Sequence, residues 1–264
     1  MGVVSRSRRG VAAVVAVLAA LVLAGCGGAG RDGQATSAAA SGDAGDKAAK
    51  DVLVAAVKAL AGSSYSYTMK IDEGTVTGVV DASGKRQARL DSVASGVRFS
   101  LEGIVLGGEE RYFRTSIPAS GVSAKKWYRF DRTKVTKTGI VGLFETTDPT
   151  SSQDFVGRVG NVRKESDGRI TGAYDLTRGG DLGVADRQVL AALGEAAKKA
   201  PFVVVLDGQG RLVSVRITVP AYGKVAAREL AVDYVQQGKA VKVSVPKAGE
   251  IVPATAAVYN LLNN

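Results

Sequence analysis

The residue with the clearest chemistry is Cys26, the only cysteine in this 264-residue chain. It ends the segment Leu23-Ala24-Gly25-Cys26, which has the form of a lipobox with small residues before the thiol. In a lipobox the cysteine thiol is alkylated by diacylglycerol, and cleavage then makes the cysteine the new N-terminus. The motif therefore predicts Cys26 as a site of lipid attachment that carries palmitate-type acyl chains.

The residues before Cys26 agree with this prediction. Arg6, Arg8 and Arg9 form a basic start, and an apolar run follows from Val11 to Ala24. This run is shorter than the roughly 20 apolar residues of a permanent membrane helix. We predict a signal peptide over 1–25 and a protein anchored by lipid on the extracytoplasmic face of the cell membrane. An unmodified thiol at the end of an ordinary secretory signal is the alternative.

Composition excludes several kinds of chemistry. The chain has no histidine and a single cysteine, so internal disulfides, thiol catalysis, Ser-His-Asp triads and histidine metal sites cannot form. Although the formal net charge is +10, the basic residues are scattered without a motif that reads nucleic-acid bases. We expect no cofactor, no metal site, no catalytic residue and no nucleic-acid partner.

Two charged motifs have simple structural interpretations. Glu109 and Glu110 follow two glycines, which indicates a hairpin corner, because adjacent carboxylates on a strand point apart and make a poor metal site. The segment Lys125-Lys126-Trp127-Tyr128-Arg129 could touch lipid headgroups or sugars, but it is more typical of a strand edge with extended lysines.

The chain after Cys26 divides into a tether and one domain. Residues 26–45 contain the lipidated cysteine and a small, polar segment typical of a flexible tether. The single domain spans 46–264. It starts with a predicted helix from Asp46 to Ala61, in which Leu53, Val57 and Leu60 recur at helical spacing.

After this helix, apolar residues recur at every second position, which predicts mainly strands separated by glycine-bearing turns. The predicted strands are Tyr65–Ile71, Thr75–Val80, Arg86–Ser92, Gly96–Leu106, Glu109–Ser116, Lys126–Asp131, Asn161–Glu165, Arg169–Thr177, Phe202–Leu206, Arg211–Val219, Arg228–Gln236 and Val241–Val245. Short helices are predicted between Ile140 and Val159, and a longer one from Val184 to Lys199. Either helical region could cover a sheet and open.

In four of the predicted strands every second residue is apolar, so these residues should share the covered face of a sheet. They are candidate walls of a ligand cavity: Tyr65, Tyr67, Met69 and Ile71; Val97, Phe99 and Leu101; Val213, Val215, Ile217 and Val219; and Leu230, Val232 and Tyr234. A solid core built from the same residues is the alternative.

The lipobox, the first helix, the many antiparallel strands and the midway helices together resemble the LppX/LprG lipoproteins of actinobacteria, within the wider LolA-like group. The resemblance covers about 46–252 and is carried best by Val203–Arg216, Glu229–Tyr234 and Val241–Pro246. It implies an α+β fold in which a strongly curved antiparallel half-barrel is covered on its concave side by helices.

The resemblance further implies a non-enzymatic protein that binds a lipid or glycolipid in an apolar cavity and transfers it, with a membrane transporter as a further partner. Two alternatives remain. The first is a sensory or scaffolding module with a solid core that binds another envelope protein. The second is a cell-wall hydrolase, which would require paired carboxylates in a cleft.

Overall fold

The period-two segments form a single sheet in the computed structural model, which describes residues 37–71, 74–137, 139–178 and 187–263. The predicted signal peptide, Cys26 and the first part of the predicted tether lie outside the described residues. Twelve strands are described. They are β1 Tyr65–Ile71, β2 Gly74–Val80, β3 Arg86–Ala94, β4 Val97–Gly107, β5 Glu110–Thr115, β6 Trp127–Arg129, β7 Val159–Lys164, β8 Ile170–Tyr174, β9 Ala200–Leu206, β10 Leu212–Val219, β11 Arg228–Val235 and β12 Ile251–Pro253.

The strands are ordered β12-β6-β5-β4-β3-β2-β1-β11-β10-β9-β8-β7. Neighbours are antiparallel, except that β12 lies parallel to β6. Two meanders, β2–β6 and β7–β11, therefore meet at β1, which pairs with β2 on one side and β11 on the other. The predicted α+β class with a mostly antiparallel sheet is confirmed at this level.

Short helices and one long helix accompany the sheet. In the described part they are α1 Ser37–Ala61, α2 Gly139–Glu145, α3 Ser152–Arg158, α4 Arg187–Leu193 and α5 Ala256–Leu262. Helix α1 packs one side into the core through Leu53, Val57 and Leu60, at the spacing expected of an amphipathic helix. None of the described helices is both long and apolar enough to cross a bilayer.

Two helix boundaries differ from the sequence predictions. Helix α1 begins at Ser37 rather than Asp46, inside the predicted tether, because its alanines are strong helix formers. The predicted helix from Val184 to Lys199 is described only from Arg187. It is broken at Gly194, whose φ of +54° starts a 3₁₀ turn over Gly194–Lys199.

The predicted strand Val241–Val245 is wrong. Residues 236–250 instead form an irregular strap that leads from the end of β11 to β12 at the far edge of the sheet. No sheet edge is available beside β11, because β1 and β10 already occupy both of its sides. Val243 packs against the outer cluster, defined here as Ile104, Tyr112 and Trp127, while Val245 remains exposed.

The glycine and glutamate motif takes its structural interpretation, whereas the strand edge predicted for Lys125–Arg129 is wrong, because β6 pairs with β5 on one side and with β12 on the other. Gly107 and Gly108 have φ values of +105° and +53°, which makes the segment before Glu110 a tight hairpin corner. Trp127 is buried in the outer cluster, where the Arg114 guanidinium lies 4.4 Å from its ring centroid. Glu102 accepts hydrogen bonds from Arg114 on this same side of the sheet.

Aromatic rings lie directly on glycines of the helix-covered face. A β-carbon placed on Gly103 in β4 would lie 2.0 Å from Cγ of Phe144 in α2. Arg86 holds this helix in place by donating from Nε to the carbonyl oxygen of Phe144 at 2.9 Å. The absence of a side chain at Gly103 thus sets how closely α2 can approach the sheet.

We predict that Gly103→Ala destabilises the domain by about 1–3 kcal/mol, because the added methyl group must displace the Phe144 ring. Urea unfolding of the variant measures this loss. Gly142→Ala is the matched control: its β-carbon meets nothing within 4 Å, so alanine in the interior of α2 should be neutral or stabilising. Equal effects of the two substitutions would contradict the proposed packing.

Candidate functional site

An apolar cavity lies between the helix-covered face and the helices above β1, β10 and β11. We call it the inner cavity; its volume is about 40 Å³. Its sheet wall consists mainly of Met69, Ile71, Leu212, Val215, Ile217, Leu230, Val232 and Tyr234, and its cover of Val57, Thr150, Ser151, Ser152 and Phe155. Lys70 and Ala231 complete the lining.

Strand register brings the sheet wall together. Met69 pairs with Val232, which pairs in turn with Val215, so three consecutive strands present one apolar row. In the next row Leu230 pairs with Ile217. Side chains two residues apart on a strand share a face, and both rows therefore face the cavity.

Seven of the fourteen candidate wall residues line the inner cavity. They are Met69, Ile71, Val215, Ile217, Leu230, Val232 and Tyr234. Four others, Tyr65, Tyr67, Leu101 and Val219, are buried in the surrounding core, and Phe99 is half-buried against it. Residues two positions apart on a strand share a face, so most of the predicted wall residues lie on the helix-covered face of the sheet. Tyr67, for example, lies directly opposite Tyr234 of the neighbouring strand.

Two candidates lie elsewhere. Val213 is 39 % exposed because the register of β10 shifts between Leu212 and Ser214, which places Leu212 on the buried face in its stead. Val97 is 55 % exposed because it begins β4 at the tip of the β3–β4 hairpin, beyond the helices. Neither residue can form a wall of the inner cavity.

Only part of the cavity cover follows from local sequence patterns. Val57 belongs to the predicted apolar side of α1, so its inward position follows from helical spacing. The segment Thr150–Phe155 lies in a region predicted only as short helices. Phe155 is fixed there by ring contacts at 5.4 Å with Tyr174 and 5.2 Å with Phe202, which are long-range contacts that no local pattern reveals.

One end of the inner cavity is polar. This polar end consists of Thr150, Ser151, Ser152 and Tyr234. Asp148 organises it by accepting backbone hydrogen bonds from Ser152 at 3.0 Å and Gln153 at 2.7 Å, which caps the start of α3. The side chain of this aspartate is therefore held next to the cavity.

Three tyrosines are clustered beside the polar end. The ring centroid of Tyr65 lies 6.2 Å from that of Tyr67 and 6.0 Å from that of Tyr234. Burial raises the pKa of all three hydroxyls, and the Asp148 carboxylate raises the pKa of Tyr65 and Tyr234 further. A hydrogen bond with Thr150 acts in the opposite direction on the pKa of those two.

Comparisons with known proteins add no relative: no family model matches the chain, and no curated protein matches it. The described residues contain no group of three or more aspartate, glutamate or cysteine side chains arranged to hold a metal ion. The chemistry that the inner cavity offers is apolar contact along most of its length and hydrogen bonding at one end.

The buried hydroxyl of Tyr67 should make the unfolding free energy of the domain depend on pH. Within the described residues it has no hydrogen-bond partner. An unfolded tyrosine titrates near pH 10, and a folded pKa raised above that value gives stability that is complete below about pH 10 and is lost as the pH rises further. The loss is about 1.4 kcal/mol per pH unit for each such group.

Tyr67→Phe should therefore leave stability at pH 7 unchanged or slightly higher, and should reduce the fall in unfolding free energy above pH 10. Urea unfolding between pH 7 and 11 measures both quantities. Tyr222→Phe, at a half-buried position outside the tyrosine cluster, is the control. An alkaline fall that is identical in wild type and Tyr67→Phe would refute the role of burial.

Proposed function

We propose that this chain is a lipid-anchored, extracytoplasmic binding protein that holds the acyl chain of a lipid or glycolipid between its sheet and its helices. The observation that carries the proposal is the inner cavity. It is apolar over most of its lining, and it lies over the middle strands of the sheet, although protein interiors are normally close-packed with few voids.

Exposure of the wall residues supports the proposal. Met69, Leu230 and Val232 are only half-buried, although they occupy central strands. Residues on flanking strands are more completely covered: Val76 of β2 is 1 % exposed and Val204 of β9 is 0 % exposed. The helix layer is therefore incomplete above β1 and β11, and an apolar chain placed there would remove apolar surface from water at roughly 25 cal/mol per Å².

The volume sets a condition on binding. Pockets that enclose drug-sized ligands measure roughly 300–1,000 Å³, whereas the inner cavity measures about 40 Å³. A bound acyl chain thus requires the cover to move away from the sheet. The segment Thr150–Phe155 supplies four of the five cover residues, and three of those four carry hydroxyl side chains.

The curvature of the sheet and the side on which the helices lie are part of the proposal. The sheet would curve around the ligand as a half-barrel of the LolA-like type, with the helices on its concave side. The strand order supports this, because β12 and β7 are the open edges of one continuous sheet and the main apolar core lies on one face of it. Membership of the LppX/LprG group belongs to the same proposal.

The anchor defines where the domain would act. Helix α1 begins at Ser37, eleven positions after the predicted lipidation site at Cys26. Even a fully extended chain of that length spans at most about 40 Å. The proposed domain therefore stays within that distance of its membrane, where it could receive cargo from a transporter without performing chemistry on it.

A scaffolding or sensory module is the second candidate function. The small volume of the inner cavity favours it, since the surrounding core is otherwise buried and could be complete without a ligand. In that case the domain would bind another envelope protein through its surface. The two candidates differ in what happens when the cavity is filled.

Val232→Trp should fill the inner cavity and lower binding of a fluorescent acyl probe at least tenfold, with the fold retained. Fluorescence titration measures the affinity and urea unfolding measures the stability. Val235→Trp is the control, because this neighbour on β11 is 57 % exposed. If wild type binds no probe and Val232→Trp only destabilises by about 1–3 kcal/mol, the core is solid and the scaffolding function is favoured.

The anchor is tested separately with Cys26→Ala in cells that export the full chain. We expect the wild-type protein in the membrane fraction and the variant either in the soluble extracytoplasmic fraction or as an unprocessed precursor, because the thiol that carries the acyl chains is absent. Thr36→Ala controls for expression. A Cys26→Ala protein of mature mass that stays in the membrane fraction would exclude lipid anchoring at this residue.

A further inference from the structure

The hydroxyl of Tyr67 is buried without a partner. Tyr67 is only 2 % exposed, and within the part of the chain that the structure describes its hydroxyl makes no hydrogen bond. Buried polar groups in folded proteins are nearly always paired, because leaving one unpaired is costly. The Tyr67 O–H group is therefore available to a ligand that accepts a hydrogen bond.

The other two tyrosines of the cluster also have protons to donate. Tyr65 and Tyr234 both lie beside Tyr67, and Tyr234 lines the inner cavity. Thr150 lowers the pKa of Tyr65 and Tyr234, which is the effect of a group that donates to the tyrosine oxygen. Their own protons are therefore left for an acceptor, and the tyrosine cluster as a whole favours a ligand group that accepts hydrogen bonds.

Strand register places Arg86 on the same face of the sheet as the tyrosines. Tyr65 lies opposite Val80 of β2, and Val80 lies opposite Arg86 of β3, so one row of side chains runs from the tyrosine cluster to the guanidinium. The positive charge of Arg86 lowers the pKa of both Tyr65 and Tyr67. Arg86 is therefore close enough to the tyrosine cluster to act on a ligand group that is held there.

No carboxylate of the described residues is in contact with Arg86. Its guanidinium donates to three backbone carbonyl oxygens, which carry no formal charge. The nearby Glu145 carboxylate is instead shared by Arg111 and Arg132, which both form ion pairs with it. Even with Asp148 counted, the described charged groups around the tyrosine cluster therefore have an excess of positive charge.

An anionic group would offset this excess charge. Arg86 is half-buried, so water screens its charge only in part, and an opposite charge beside it is worth more than it would be in bulk water. A carboxylate is negatively charged, accepts hydrogen bonds and donates none. It therefore matches both the charge of Arg86 and the protons of the tyrosine cluster.

We propose that the inner cavity selects acyl chains that end in a carboxylate, whose oxygens accept hydrogen bonds from the tyrosine cluster and face Arg86. This inference rests on the proposed function, since the cover must move before an acyl chain can enter. It adds a chemical class of ligand: a fatty acid is favoured over a fatty alcohol of equal chain length.

The test compares decanoate with 1-decanol by isothermal titration calorimetry at pH 7 on the full-length chain. The two probes have the same chain length and an oxygen that can accept a hydrogen bond, but only decanoate is charged. We expect decanoate to bind at least tenfold more tightly, because a hydrogen bond to a charged group contributes more than one between neutral groups.

Tyr67→Phe tests the donor. This substitution should weaken binding of decanoate about tenfold, because one hydrogen bond to the carboxylate is lost. It should leave urea unfolding at pH 7 close to that of wild type, since the hydroxyl has no partner among the described residues of the domain. A loss of affinity without a loss of stability is the result expected of a group that serves the ligand.

Arg86→Gln tests the charge, and it should bring the affinities for decanoate and 1-decanol together. Arg86→Lys, which keeps the charge, should retain part of the preference. Arg89→Gln is the matched control, because Arg89 lies on the opposite face of the same strand, where it pairs with Asp91 and Glu102. It should bind both probes like wild type.

The outcomes separate the two proposals. Equal affinities of wild type for the two probes, or a preference that is unchanged in both Tyr67→Phe and Arg86→Gln, would overturn carboxylate selection while leaving acyl-chain binding intact. Failure of both probes to bind would refute the proposed function itself. Urea unfolding shows whether lost binding reflects a lost fold, and if Arg86→Gln does not fold, Tyr67→Phe and Arg86→Lys decide the question.

Discussion

The pairing of β1 with β11 is the constraint on which the rest of this structure depends. It joins residues far apart in sequence: the Ser66 hydroxyl donates to the carbonyl oxygen of Val235, which follows it by 169 positions. Without this pairing the two meanders would be separate sheets, each with an exposed edge. With it, Met69 and Val232 lie side by side, and both meanders contribute to the wall of the inner cavity.

The register of that pairing also places the tyrosines. Tyr67 lies opposite Tyr234, and Tyr65 contacts both rings, so three hydroxyls are brought to one region of the covered face. A shift of β1 by one residue relative to β11 would place Tyr65 and Tyr67 on the opposite side of the sheet from Tyr234. The polar end is therefore a consequence of strand register together with the position of Asp148, which is fixed by its capping of α3.

Local patterns predicted the parts of the fold that local physics determines. Alternation placed Met69, Val215 and Val232 on one face, and the turn residues around Gly84 and Gly210 marked hairpins that the structure contains. Sequence patterns gave wrong predictions where pairing with a neighbouring strand determined the local structure. The register shift beside Val213 is set by the pairing of β10 with β9, and the strap has strand-like alternation although β11 has no open side. Thr150 lies beside tyrosines of β1 and β11, two strands that are distant in sequence, and no local pattern predicts that proximity.

The parallel pairing of β12 with β6 has a kinetic consequence. β12 comes near the end of the chain, and next to it the Lys126 side chain donates to the carbonyl oxygen of Gly249, 123 positions later. Structures dominated by such distant contacts fold slowly, because a large loop must close before any contact stabilises it. The β12 edge of the sheet can therefore be completed only once residues 251–253 are present, and the apolar faces of the neighbouring strands are exposed to other chains during that delay.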